Sequence, residues 1–215
     1  MVTENTVDLF IKPSNVSSDV KHQLSDTEYI IGTTHTQRVF FYRNDAQATD
    51  FMSTERLVNG LQLAVDQYPI VAGRFVAVSN SDLEVHSLDS GVPYRESHFP
   101  QDISEFSQDW PESCMLPDWQ TNYREDLDRV PVLVHVTRFA NNSGVVVCFS
   151  GNHVISDGTG LSMFAKSWAT FARGEQSPPP SHHDRRLLRI YANKRHLVNE
   201  SPIPLLQISI PVLRS

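Results

Sequence analysis

The stretch VVVCFSGNHVISDGTGLSMFAKSW, Val145 to Trp168, decides the fold. Its opening run, Val145 to Ser150, is apolar and β-branched, and that pattern predicts a strand. Its later part carries Leu161, Phe164, Ala165 and Trp168, with Phe171 just beyond, at helical intervals that build one apolar face. The helix is expected from about Gly160 to Arg173, closed by a left-handed cap at Gly174 before Pro178 to Pro180 forbid further turns. His153 and Asp157 fall in the connection, with Gly151 before them and Gly158 and Gly160 after. A buried strand that feeds a helix through such a turn holds an imidazole where the core meets solvent.

A single histidine near a strand end is usually an ordinary hydrogen-bonded residue. The HxxxDG spacing is more specific, because it joins a proton acceptor and a charged anchor to glycines that permit close backbone approach. Zinc chemistry fits poorly: His153 and Asp157 lack a third ligand, and neither HExxH nor CxxC is present. The His182-His183-Asp184 run beside three prolines reads as a solvated segment, so no metal is expected. Ser150 lacks the preceding glycine of a GxSxG elbow, and Cys148 sits within the strand, where a thiol is inert.

Outward from this unit, Phe51, Leu57, Val58, Leu61, Ala64, Val65 and Tyr68 repeat at helical steps until Pro69. Arg74 to Ser79 and Leu83 to Leu88 read as a hairpin, as do Val132 to Phe139 and Val145 to Ser150 across ANNSG. The second hairpin is expected at the centre of the sheet. Val7 to Lys12 and Arg38 to Arg43 are further strands, whereas Gly91 to Arg129, with its prolines and charges, reads as an irregular covering region. A short basic helix at Arg185 to His196 and a weak strand at Leu205 to Leu213 complete the reading. Two helical stripes over apolar strands give an α/β class, a mixed sheet flanked by helices.

The chain has 215 residues, 40% of them hydrophobic, enough for one substantial core. A formal charge of −7 without any basic run argues against nucleic acid and anionic membranes as partners. Two cysteines, Cys114 and Cys148, make no disulfide framework, and MVTENTVDLF has neither a basic leader nor a long apolar run. The expected setting is cytoplasmic.

NHVISDG, residues 152 to 158, resembles the HxxxDG motif of the BAHD acyltransferases, relatives of chloramphenicol acetyltransferase and of peptide-synthetase condensation domains. LVNGLQLAVDQYPIVAGRF (57 to 75) resembles the family's helix and YP-x-x-AGR turn, and PVLVHVTRF (131 to 139) its neighbouring strand. Leu24 to Asp26, Phe40 to Tyr42, Trp168-Ala169 and Asp184-Arg185 follow in the family's order. Asn152 stands where many members carry a second histidine. Members are roughly twice as long, with a second half bearing a DFGWG motif that does not occur here.

The resemblance implies a chloramphenicol acetyltransferase-like half-domain over residues 1–176 and a linker or crossover-like tail over 177–215, the C-terminal domain being absent. It implies an enzyme that moves an acyl group from acyl-CoA, a co-substrate rather than a bound cofactor, to a small hydroxyl or amine acceptor. His153 would be the general base. Asp157 would hold the loop through an arginine, with Arg185 a candidate, and Gly158 would allow close backbone approach. Thr34 and Thr36 resemble positions that line the acceptor pocket. The expected macromolecular partner is a complementary C-terminal half or a second copy. Two other readings stand beside this one: a non-catalytic half-domain, either a binding or regulatory module or a truncated gene product, and a condensation-type domain joining carrier-bound acyl groups. The AGR segment and Asp184-Arg185 favour the acyl-CoA reading.

Overall fold

The computed structural model describes residues 6–16, 19–24, 35–78, 83–107, 109–110 and 130–179. Thr34, Cys114, the His182-His183-Asp184 run, Arg185 with its expected helix and the weak strand at 205–213 lie outside them. So does nearly all of the 177–215 tail.

A five-stranded mixed sheet, in the order β1-β6-β7-β8-β3, carries the structure. Its strands are β1 (Val7–Ile11), β3 (His35–Arg43), β6 (Val92–Phe99), β7 (Val132–Phe139) and β8 (Gly144–Asn152). Only the β6–β7 pair is parallel. A second, three-stranded sheet joins β2 (His22–Gln23), β5 (Leu83–His86) and β4 (Arg74–Ala77). The expected hairpins appear as β4–β5 and β7–β8, and β7 is the central strand of the large sheet.

Two helices, α1 (Thr54–Gln67) and α2 (Gly158–Ala172), pack on one face of that sheet. Helix α1 starts at Ser53, whose side chain accepts from the Arg56 N–H, and Glu55 adds a negative charge at its positive end. Its stripe buries Leu57, Leu61, Ala64 and Val65, as the periodicity requires, while Phe51 falls in the turn before it. The two helices are tied together where Trp168 Nε1 donates to the Leu57 carbonyl at 2.9 Å. Phe164 stacks on Phe149 of β8 at 5.7 Å, joining helix to sheet. Gly174 takes a φ of 77°, and the Glu175 N–H donates to the Thr170 carbonyl at 3.1 Å, which closes α2 at the expected glycine.

The region expected to be irregular, Gly91 to Arg129, is corrected at its start: Val92–Phe99 is β6, an inner strand. Its charges hid it, yet they are paired within the fold. Glu96 accepts from Arg138, from the Tyr94 hydroxyl at 2.7 Å and from Thr54 at 2.8 Å, and Arg95 pairs with Asp8 at 2.7 Å. Pro93 sits just outside the ladder with β7, which begins at Tyr94, so its missing N–H costs no bond there. Strand β8 also runs two residues past the expected end at Ser150, and α2 begins two residues before Gly160.

Candidate active site

The turn from Val154 to Asp157, entered through His153, connects β8 to α2. Asn152, fully buried, ends the strand with its N–H donating to the Pro131 carbonyl at 2.8 Å. Its side-chain Oδ1 then accepts from the Val154 N–H at 3.0 Å, and its carbonyl accepts from Ile155 at 3.3 Å. This is an Asx turn, a local bond that replaces the lost ladder and reverses the chain. Val154 and Ile155 are buried in the main core and anchor the turn from below. His153, between these anchors, is only partly buried, and its Nδ1 is enclosed without a hydrogen-bond partner. The turn places the ring, and no bond to Nδ1 does so among the described residues.

Asp157 is exposed and caps α2: its Oδ1 accepts from the Gly160 N–H at 2.7 Å. A carboxylate there satisfies an orphan donor and complements the helix dipole. Among the described residues no arginine pairs with it. The arginine that reaches the loop is Arg38 of β3, whose Nη2 donates to the Gly158 carbonyl at 3.0 Å. The Ser162 hydroxyl donates to the same carbonyl at 2.7 Å.

Among the described residues neither the backbone nor the packing at Gly158 demands glycine. Its φ is not positive, and a Cβ there would meet only Arg38 Nη2, at 3.4 Å. At Gly151 a Cβ would stand 2.5 Å from Leu161 Cδ2, so the buried Leu161 side chain would have to move. Thr36 is brought to the site: it pairs with Gly151 across β3–β8 and shares the helix-side face of the sheet.

That face continues along β3 as Arg38, Phe40 and Tyr42, opposite Phe149, Val147 and Val145. Between it and the flank of α2 runs an apolar groove of about 710 Å³, which His153 does not line. Arg38 belongs both to the groove and to the loop that carries His153 and Asp157. Sequence reading missed Arg38, although its signal was present: it lies two residues beyond Thr36, on the same face by strand alternation.

A second histidine is excluded by its surroundings. His135 is 3% exposed, its Nε2 lies 2.7 Å from Ser97 Oγ, and burial, with Arg95 adding, pushes it down to about 4. Cys148 is buried as expected, and burial pushes its thiol up to about 11. Among the described residues no cluster of three metal-ligating side chains exists.

Comparison with known proteins agrees with the fold. The hydroxycinnamoyl-CoA:piscidic acid hydroxycinnamoyltransferase of Actaea racemosa is 28% identical over 178 residues, covering 81% of this chain and 39% of the relative. The fold matches that of vinorine synthase with a TM-score of 0.69 at 23% identity, covering 87% of this chain and 46% of that one. It also matches F. sporotrichioides TRI101, solved with coenzyme A and T-2, with a TM-score of 0.53 at 16% identity over 74% of this chain and 42% of that one. The chain therefore spans under half the length of these proteins. The profile of the Transferase family matches residues 1–210, almost the whole sequence, and the chain belongs to that family, the BAHD-type acyltransferases.

Proposed function

We propose that this chain is the N-terminal half of an acyl-CoA-dependent acyltransferase, with His153 as general base. The observation that carries the reading is the partly open imidazole, held in the turn after β8 with Nδ1 unpartnered. In the reaction the acceptor's oxygen or nitrogen attacks the thioester carbonyl carbon while its proton passes to the imidazole. The carbon–sulfur bond then breaks, and coenzyme A leaves as the thiol after taking that proton back. Imidazole suits this, because it can accept a proton and return it within one turnover. Such assistance is worth about 10²–10⁴-fold in rate. Asp157 contributes by capping α2 and so fixing the far end of the loop. The A. racemosa relative is named for a coenzyme A thioester donor, and TRI101 was solved with coenzyme A, which supports a donor of that class here.

Orientation of the thioester and stabilisation of its oxyanion contribute at least as much as proton transfer, and the chain spans under half of its relatives. The 215-residue chain alone is therefore expected to show little or no thioester cleavage. A matching C-terminal half, in frame or in trans, should restore turnover that His153→Ala removes. The measurement is thiol release across acyl-CoAs and hydroxyl or amine acceptors. Robust turnover by the isolated chain would overturn the half-enzyme reading, and full activity after His153→Ala would remove the histidine from the mechanism.

A further inference from the structure

The groove between β3 and α2 has the volume of a small-molecule site, for which roughly 300–1,000 Å³ is usual. Its floor is Phe40, Val147 and Phe149, a surface for an apolar body. Its charges are unusual for a chain of net charge −7: Arg38, Arg56, Lys166 and Arg173 line it against a single acid, Asp50. Two of these cations are already spent. Arg56 pairs with Asp50 at 2.8 Å, and Arg173 pairs with Glu175 at 2.9 Å. Arg38 and Lys166 have no acidic partner among the described residues.

Arg38 is the more telling of the two. Its Nη2 is fixed on the Gly158 carbonyl, while its Nη1 is buried without an acceptor. A buried charged donor left unmet is costly, and a ligand anion is the partner that this end of the groove lacks. Lys166 lies on the adjoining wall, one helical turn beyond Ser162, so a second cation without an acidic partner among the described residues lines the groove.

We propose that this groove binds a small molecule with an apolar body and a carboxylate, the carboxylate held by Arg38 with Lys166. Resting on the acyltransfer reading, the structure thereby assigns the acceptor to carboxylic acids whose apolar body also carries a free hydroxyl or amine, bound beside the loop that carries His153. Binding itself is scored without turnover, so the site and the reaction fail separately.

The probes are 3-phenylpropanoate and its methyl ester, titrated into the full chain by calorimetry and ligand-observed NMR. The acid should bind at least fivefold more tightly than the ester. Arg38→Gln should bring the two to equal affinity, with circular dichroism showing that the variant remains folded. Lys21→Gln, which removes a cation that does not line the groove, should preserve the preference. Equal binding of acid and ester by the unaltered chain would overturn the proposal, as would an Arg38→Gln variant that keeps the preference. If 3′-phospho-ADP displaces the acid while binding more tightly, the anion site belongs to the donor's phosphates and the proposal falls. A chain that sediments as a dimer and binds neither probe assigns the groove to a second copy, with the same result. Should the acid bind as expected while the restored enzyme transfers no acyl group, the function is refuted and the site stands.

Discussion

Strands β3 and β8 have nine residues each and pair along their whole length, yet β8 is buried at every position and β3 at none. The difference is one of neighbours. Strand β8 lies between β7 and β3, with α2 on one face and the Phe99, Phe106 and Phe139 cluster on the other. Strand β3 is the sheet edge, and Phe40, Phe41 and Tyr42 remain about two-fifths exposed. Apolar residues at such density on an open edge are a liability that proteins normally cover or charge. One strand completes a core and positions the turn that carries His153; the other leaves an apolar face open among the described residues.

The largest expected effect tests this contrast with one residue type on adjacent strands. Phe149→Ala removes a ring that is 1% exposed and stacked on Phe164, and should cost about 3–5 kcal/mol. Phe40→Ala removes a ring that is 38% exposed and should cost under about 1 kcal/mol. Urea denaturation of both variants measures the difference. Equal losses would mean that β3 is as integral to the core as β8.

The same contrast explains what was legible in the sequence. The β8–α2 unit reads directly because its apolar run and helical stripe are set by burial, and burial leaves a periodic record. Strand β6 did not read, because Arg95 and Glu96 look like loop residues until Asp8 and Arg138, distant in sequence, neutralise them. At the site, His153 was visible from its motif and its place in the turn. The missing parts were relational. That Arg38 rather than Gly158 shapes the loop depends on a contact across 120 residues, which no local pattern records. The capping role of Asp157 was local and could have been read from an aspartate three residues before Gly160 at a helix start.

A pH titration sharpens the contrast between the enclosed interior and the open site. His135, on β7, is held down to about 4 by burial, whereas an unfolded chain titrates it at about 6.5. Between those values the unfolded state binds the extra proton, so stability falls as the pH drops from 6.5 through 4 and is unaffected by this group above pH 7. The loss amounts to roughly 3 kcal/mol once both states are protonated. His135→Asn, which cannot titrate, should flatten that part of the stability profile in thermal melts between pH 7.5 and 4.5. A profile unchanged by the substitution would show that other groups govern the acid limb.

The smallest effect lies in the turn that follows β8, where the roles of Asp157 can be separated. Its Oδ1 accepts from the Gly160 N–H, so the cap needs an oxygen at that place but not a charge. Asp157→Ala should therefore lower stability by about 1 kcal/mol, and Asp157→Asn, which keeps the oxygen, by only a few tenths. If capping is the whole of its task, the restored enzyme should retain activity in the asparagine variant and lose part of it in the alanine variant through a displaced loop. An ion pair to an arginine would give the opposite order of importance, since asparagine would then fail nearly as badly as alanine in turnover while still capping the helix. Melting temperature and turnover measured on the same two variants decide between them. Stability that tracks the oxygen, with activity that tracks the charge, would show that a cation from outside the described residues completes the loop.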